Sequence, residues 1–178
     1  MTEELKHCIS FCENNFVPLT QEQLNWKIDN NKWSILQCIE HINKTNGAYR
    51  KIFQDLIDIG YHPGLWTRIN PLTAFTGRKF LQFIEETPTR KLPAPANLLP
   101  SSSMLDASVL RTFSQETSKL IKILDQLKPM NTRQMKIASP LSFLVTLRVS
   151  DAIKLLQQHT KRHINQAYNV KLHRLFPK

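Results

Sequence analysis

The chain has 178 residues, 41% of them hydrophobic and 21% charged, enough to bury roughly two-thirds of its unfolded surface as one domain without disulfide or metal staples. With only 4 glycines it lacks the turn material of an all-β sandwich and the Gly-rich loops of nucleotide-binding enzymes, so a mainly helical domain over 1–178 is expected. The formal net charge of +10 keeps a polyanion, an anionic membrane or an acidic ligand in play as partner, and charge alone does not choose among them.

Residues 3–16 place Leu5, Ile9, Cys12 and Phe16 on one helical stripe, which Pro18 stops. A polar connector follows. Trp33 then opens a long helix whose stripe runs through Leu36, Ile39, Ile42, Tyr49, Ile52, Phe53, Leu56 and Ile57, closed by Gly60 and Pro63. Between residues 58 and 103 lie six of the ten prolines, which is loop chemistry, interrupted by a short helix at about 73–86 carrying Phe75, Phe80, Phe83 and Ile84. So long a connection suits a crossover between the ends of a bundle.

Helical periodicity resumes at Ser103, with Leu105, Val109, Phe113, Leu120, Ile123, Leu124 and Leu127 on one face, and ends at Pro129. A second polar connector containing Pro140 leads to Ser150, read as the N-cap of a last helix that reaches Leu172 through Ile153, Leu156, Ala167 and Val170. Four long helices with two extended connections predict an all-α four-helix bundle in non-sequential order.

The charge is uneven. Residues 1–60 hold 6 Lys and Arg against 8 Asp and Glu, and residues 61–178 hold 18 against 6. The later cations stand singly, without the stacking aromatics of a nucleic-acid motif, so a solvated positive face is expected and no specific nucleic-acid partner. Three cysteines without a Cys-x-x-Cys pair argue against a disulfide framework and suit a reducing compartment. With no leader-like N-terminus and no apolar run of spanning length, a cytoplasmic chain with no membrane partner is expected.

Six histidines are present. His159 and His163, four apart on the last helix, leave the same face about one turn from each other and can close on one ion. His41 shares a stripe with Trp33 and Gln37 on the second helix, so a bundle that packs these helices together would offer three neutral nitrogens and keep a position for water or substrate. By itself a His-x-x-x-His pair is also common on solvated helices.

The run Trp33-Ser34-x-x-Gln37-x-x-x-His41, with Ser139-Pro140 ahead of the final helix and His159-x-x-x-His163-x-x-Gln166 within it, resembles the DinB/YfiT-like superfamily of metal-dependent enzymes. The likeness spans most of the chain. It implies a four-helix bundle whose His41, His159 and His163 hold a divalent ion. It also implies activity as a thiol-dependent S-transferase, a glutathione-dependent isomerase or a hydrolase on a small-molecule substrate. The ion is expected to be zinc or nickel, imidazoles also suiting iron or copper, with a low-molecular-weight thiol as a further cofactor. Many relatives carry Glu where this chain has Gln37. The alternative is a non-catalytic bundle with a structural ion and a basic face for an acidic partner. Exposed apolar strips would make a homodimer.

Weaker candidates have plainer readings. Gln166 is either a group orienting a ligand or a surface amide, Glu40 a solvated carboxylate, and Trp33 a core anchor. The trio His7, Cys8 and Cys12 is an amphipathic coincidence, Gly77-Arg78-Lys79 lacks the flanks of a phosphate loop, and His62 and His173 belong to the surface.

Overall fold

A stripe of apolar residues three and four apart is buried only when the helix carrying it lies against a neighbour. Four long helices do this in the computed structural model of the protein, which describes every residue except 1, 74, 76–94 and 141, and only the backbone of 142–144. In chain order the elements are α1 (Glu3–Asn15), α2 (Gln21–Asn25), α3 (Ile35–Asp58), α4 (Leu65–Ile69), a 3-10 turn (Ala96–Leu98), α5 (Ser108–Leu127), β1 (Lys136–Ser139), β2 (Ser142–Arg148) and α6 (Val149–Lys171).

Both α1 and α3 pack against α5 and α6, so the order around the bundle is α1, α5, α3, α6 and the first two long helices sit across a diagonal. This is the all-α bundle with crossover connections that the periodicity predicts. The long helices lie within two residues of their expected bounds at most ends, although α5 begins at Ser108 rather than Ser103.

Two apolar clusters stack along the axis. One gathers Leu5, Tyr49, Phe53, Leu120, Leu124 and Leu156. The other gathers Cys8, Cys12, Phe16, Ile35, Ile39, Phe113, Ile164 and Ala167. Between them, on three helices at the same level, lies a band of buried polar side chains: His41, Thr45 and Asn46 on α3, Thr117 on α5 and Thr160 on α6. Thr160 donates to Asn46 Oδ1 at 3.3 Å and Thr45 donates to the His41 carbonyl at 3.0 Å. A polar level inside a bundle costs hydrophobic burial, which marks it as a place where chemistry rather than packing decides the residues.

Three connector readings are corrected. The segments Lys136–Ser139 and Ser142–Arg148 pair as antiparallel strands rather than forming a polar loop, with Lys136 opposite Arg148, Ile137 opposite Leu147 and Ala138 opposite Thr146. The period-2 burial at Met135, Ile137 and Ser139 is too short to stand out beside Pro140. Second, Ser150 is not the cap of α6. The helix starts at Val149, and the first free N–H groups are taken by the preceding turn, Val149 N–H donating to Met135 O and Ser150 N–H to Thr132 O. Third, the first connector contains α2, opened by a capping box in which Thr20 and Gln23 bond reciprocally.

The helix expected at 73–86 lies outside the described residues apart from 73 and 75. Cys8, Cys12 and Cys38 are free and buried. Among the described residues no helix is long and apolar enough to cross a membrane.

Candidate metal centre

His41 is placed by the way α3 begins. Ser34 Oγ accepts the Gln37 N–H at 3.2 Å while Gln37 Oε1 accepts the Ser34 N–H at 3.1 Å, a reciprocal cap that is fully buried at Ser34. Two turns further on, His41 points into the bundle and meets α6. There His159 and His163 stand one turn apart, with ring centroids 4.5 Å from each other and 5.0 and 4.6 Å from His41. One candidate ligand atom from each of the three lies within 4.8 Å of the others.

The arrangement of the ring nitrogens is compatible with a shared ion. His41 Nδ1–H donates to the Leu98 carbonyl at 2.8 Å, which leaves the lone pair on Nε2, 3.2 Å from His159 Nε2. Two nitrogens bound at zinc–imidazole distance in a tetrahedral shell stand about 3.3 Å apart, so this spacing, which is also that of a hydrogen bond from His159 Nε2–H to His41 Nε2, is compatible with two ligands on one ion. The Nδ1 atoms of His159 and His163 are buried and lack a hydrogen-bond partner among the described residues, a cost that ligation through Nε2 would leave in place.

All three imidazoles are held neutral. Burial pushes His159 down to about 3, with the neighbouring His41 and Arg162 adding to the effect, and pushes His163 down to about 2 with help from His159. His41 is lowered chiefly by burial, against the opposing bond to Leu98. Neutral imidazole is the form that binds a metal, and the donor set fits a divalent ion. Among the described residues no fourth His, Cys, Asp or Glu joins the group, and His159 and His163 are half-buried, so one side of the cluster faces outward.

Around the histidines, the Trp33 indole packs 4.9 Å from the His41 ring and 5.9 Å from His163 while also joining the second apolar cluster, in keeping with an anchoring role. Gln37 closes the helix cap and donates to Ser102 O at 2.8 Å, which accounts for an amide where a carboxylate would carry no donor. Glu40 is no free carboxylate. It accepts the N–H and the hydroxyl of Ser101 and pairs with Lys44. Gln166, exposed on the i+3 side of His163, hydrogen-bonds its ring and so opposes the lowering of its pKa, which keeps the orienting role open.

His7 points outward while Cys8 and Cys12 enter the core, so that trio does not assemble. His62 is exposed, but His173 is half-buried against Trp26, at 5.6 Å. Gly77, Arg78 and Lys79 lie outside the described residues. Cavities of about 320 and 560 Å³ open between the end of α3, α4 and β1, and neither is lined by a histidine of the cluster. Sequence reasoning misses the Leu98 carbonyl and the Ser101 tether, since backbone partners 57 and 61 residues away leave no local signal.

No curated protein and no solved structure matches the chain. The sequence pattern of the DinB superfamily matches residues 4–167, a span that reaches into all four long helices and holds all three clustered histidines. The chain belongs to the DinB superfamily.

Proposed function

We propose that the protein is a metal-dependent enzyme in which His41, His159 and His163 hold one divalent ion, zinc or nickel, and act on a small-molecule substrate by hydrolysis or thiol transfer. The observation that carries this reading is the meeting of three neutral imidazoles with no fourth ligand among the described residues and one side turned outward. A structural zinc site is closed by four protein ligands, whereas a catalytic one keeps a place for solvent or substrate.

An ion in this site supplies Lewis acidity, which lowers the pKa of a water or low-molecular-weight thiol towards neutrality. The protein's own contribution is positional. Leu98 holds the lone pair of His41 towards its partners, Trp33 walls the cluster on one side, and the buried surroundings exclude competing protons from the ring nitrogens. The basic surplus after residue 60 suits an anionic thiol or substrate. A cytoplasmic location and self-association as a homodimer complete the reading.

Metal analysis of protein purified without added metal, beside a His159→Ala/His163→Ala variant, tests it. Metal in the first and its loss in the second are expected, and equal content in both refutes the assignment. X-ray absorption showing a fourth protein ligand would favour the structural alternative.

A further inference from the structure

Four residues of α3, Gln37, Glu40, His41 and Lys44, recur at steps of three, one and three and so form a single stripe. Every one of them is bonded to the same short stretch of chain. Gln37 Nε2 donates to Ser102 O at 2.8 Å, and Glu40 accepts Ser101 N–H at 2.8 Å and Ser101 Oγ–H at 2.6 Å. His41 Nδ1–H donates to Leu98 O at 2.8 Å, and Lys44 Nζ donates to Leu99 O at 2.7 Å. Residues 98–102 thus run antiparallel to α3 as a strap, and Asn25 secures the chain just beyond by bonding both the N–H and the carbonyl of Leu105.

We propose that docking of this strap is coupled to metal occupancy of the three-histidine site, with Glu40 as the positioning residue that holds the Leu98 carbonyl against His41. The proposal rests on the metal reading above and adds a regulatory element to it.

The coupling follows from one hydrogen. A neutral imidazole carries it on either nitrogen, and only the form with the hydrogen on Nδ1 leaves Nε2 free to bind an ion. A docked strap supplies the acceptor for Nδ1–H and so selects that form. With Nε2 engaged as a ligand, His41 would keep its hydrogen on Nδ1, more polarised, and its bond to the Leu98 carbonyl would strengthen. Linkage makes the effect reciprocal, so whatever factor the strap contributes to metal affinity, the ion returns to strap docking. Glu40 controls the register, because it grips Ser101 with two bonds while Leu98 itself contributes only a carbonyl.

The test uses the full chain, zinc alone as the probe, and three readouts: the ¹⁵N shifts of the His41 ring in metal-free protein, hydrogen exchange of the Ser101 amide with and without zinc, and zinc affinity against a chelator. In the wild type the His41 hydrogen is expected on Nδ1, and zinc slows exchange at Ser101. Glu40→Ala is expected to mix the two ring forms and weaken zinc binding by about tenfold, the lower end of what loss of a ligand's outer partner costs. Ser101→Ala, at an exposed residue that threatens no packing, shifts the same readouts in the same direction by less. Phe53→Ala, in the other apolar cluster, lowers the melting temperature but leaves the His41 ring form unchanged. A Glu40→Ala protein with the native ring form and unchanged zinc affinity overturns the coupling, as does a Ser101 amide indifferent to zinc. A wild type that takes up no zinc removes the metal reading itself, an outcome distinct from a wild type that binds zinc with a neutral Glu40 variant.

Discussion

The neutrality of the clustered imidazoles has a measurable cost in protons when a metal is loaded at low pH. At pH 6.0 an ordinary histidine of pKa 6.5 is about 76% protonated, so three such ligands would shed about 2.3 protons per zinc bound. Here His159 and His163, at about 3 and about 2, carry almost none to shed, and His41, lowered in the same direction, sheds less than an ordinary histidine. A zinc-bound water of pKa near 7 adds about 0.1. The expected release is therefore below about one proton per zinc. Calorimetric titration of zinc into metal-free protein at pH 6.0, in two buffers of different ionisation enthalpy, measures that number directly. Release of two protons or more would mean that the rings are solvated and charged before the metal arrives, and the account of the site as a buried, pre-neutralised cluster would fail.

Two further outcomes follow from the packing. The thiols of Cys8, Cys12 and Cys38 are all pushed up to about 12 by burial, so native protein at pH 8 resists iodoacetamide and takes up three labels only in denaturant, as mass spectrometry would show; rapid native labelling contradicts their placement. Ser34→Ala removes the acceptor for the Gln37 N–H at a fully buried cap and is expected to cost about 1 kcal/mol, a fall of roughly 2–4 °C in melting temperature; a change within error would show that water replaces the hydroxyl.

The bundle was legible because burial and helical period are the same information: Leu5, Ile39, Phe53, Leu120 and Leu156 are all core residues, each on an expected stripe. All three members of the histidine cluster are named in the sequence, two by spacing and His41 by the resemblance of the run Trp33-Ser34-x-x-Gln37-x-x-x-His41. His159 and His163 announce themselves by spacing, but their meeting with His41 depends on how α3 packs against α6, which no local pattern encodes. The strand pair is masked by Pro140, which reads as loop, and by a β1 of only four residues, although the seven-residue β2, with Val145 and Thr146 in it, carries strand-forming residues. The Thr20 capping box stands in the sequence as Thr-x-x-Gln, but only five helical residues follow it, too few for an apolar stripe to show. Glu40 differs from the solvated carboxylate expected of it, through its bonds to Ser101. Its neighbours on the helix give no hint that a segment 61 residues later comes back to claim both its oxygens.

The distance along the chain between the two halves of the histidine cluster also sets a timetable. His41 and His159 are separated by 118 residues, so their encounter closes one of the longest loops in the molecule, and contacts of that kind form late in folding. During synthesis from the N-terminus, α3 emerges with its single histidine long before α6 exists. A ribosome-bound or truncated chain ending before residue 163 holds at most two of the three rings, too few to make the cluster. Capture of a metal would then be a late event, confined to molecules whose last helix has already taken its place between α1 and α3.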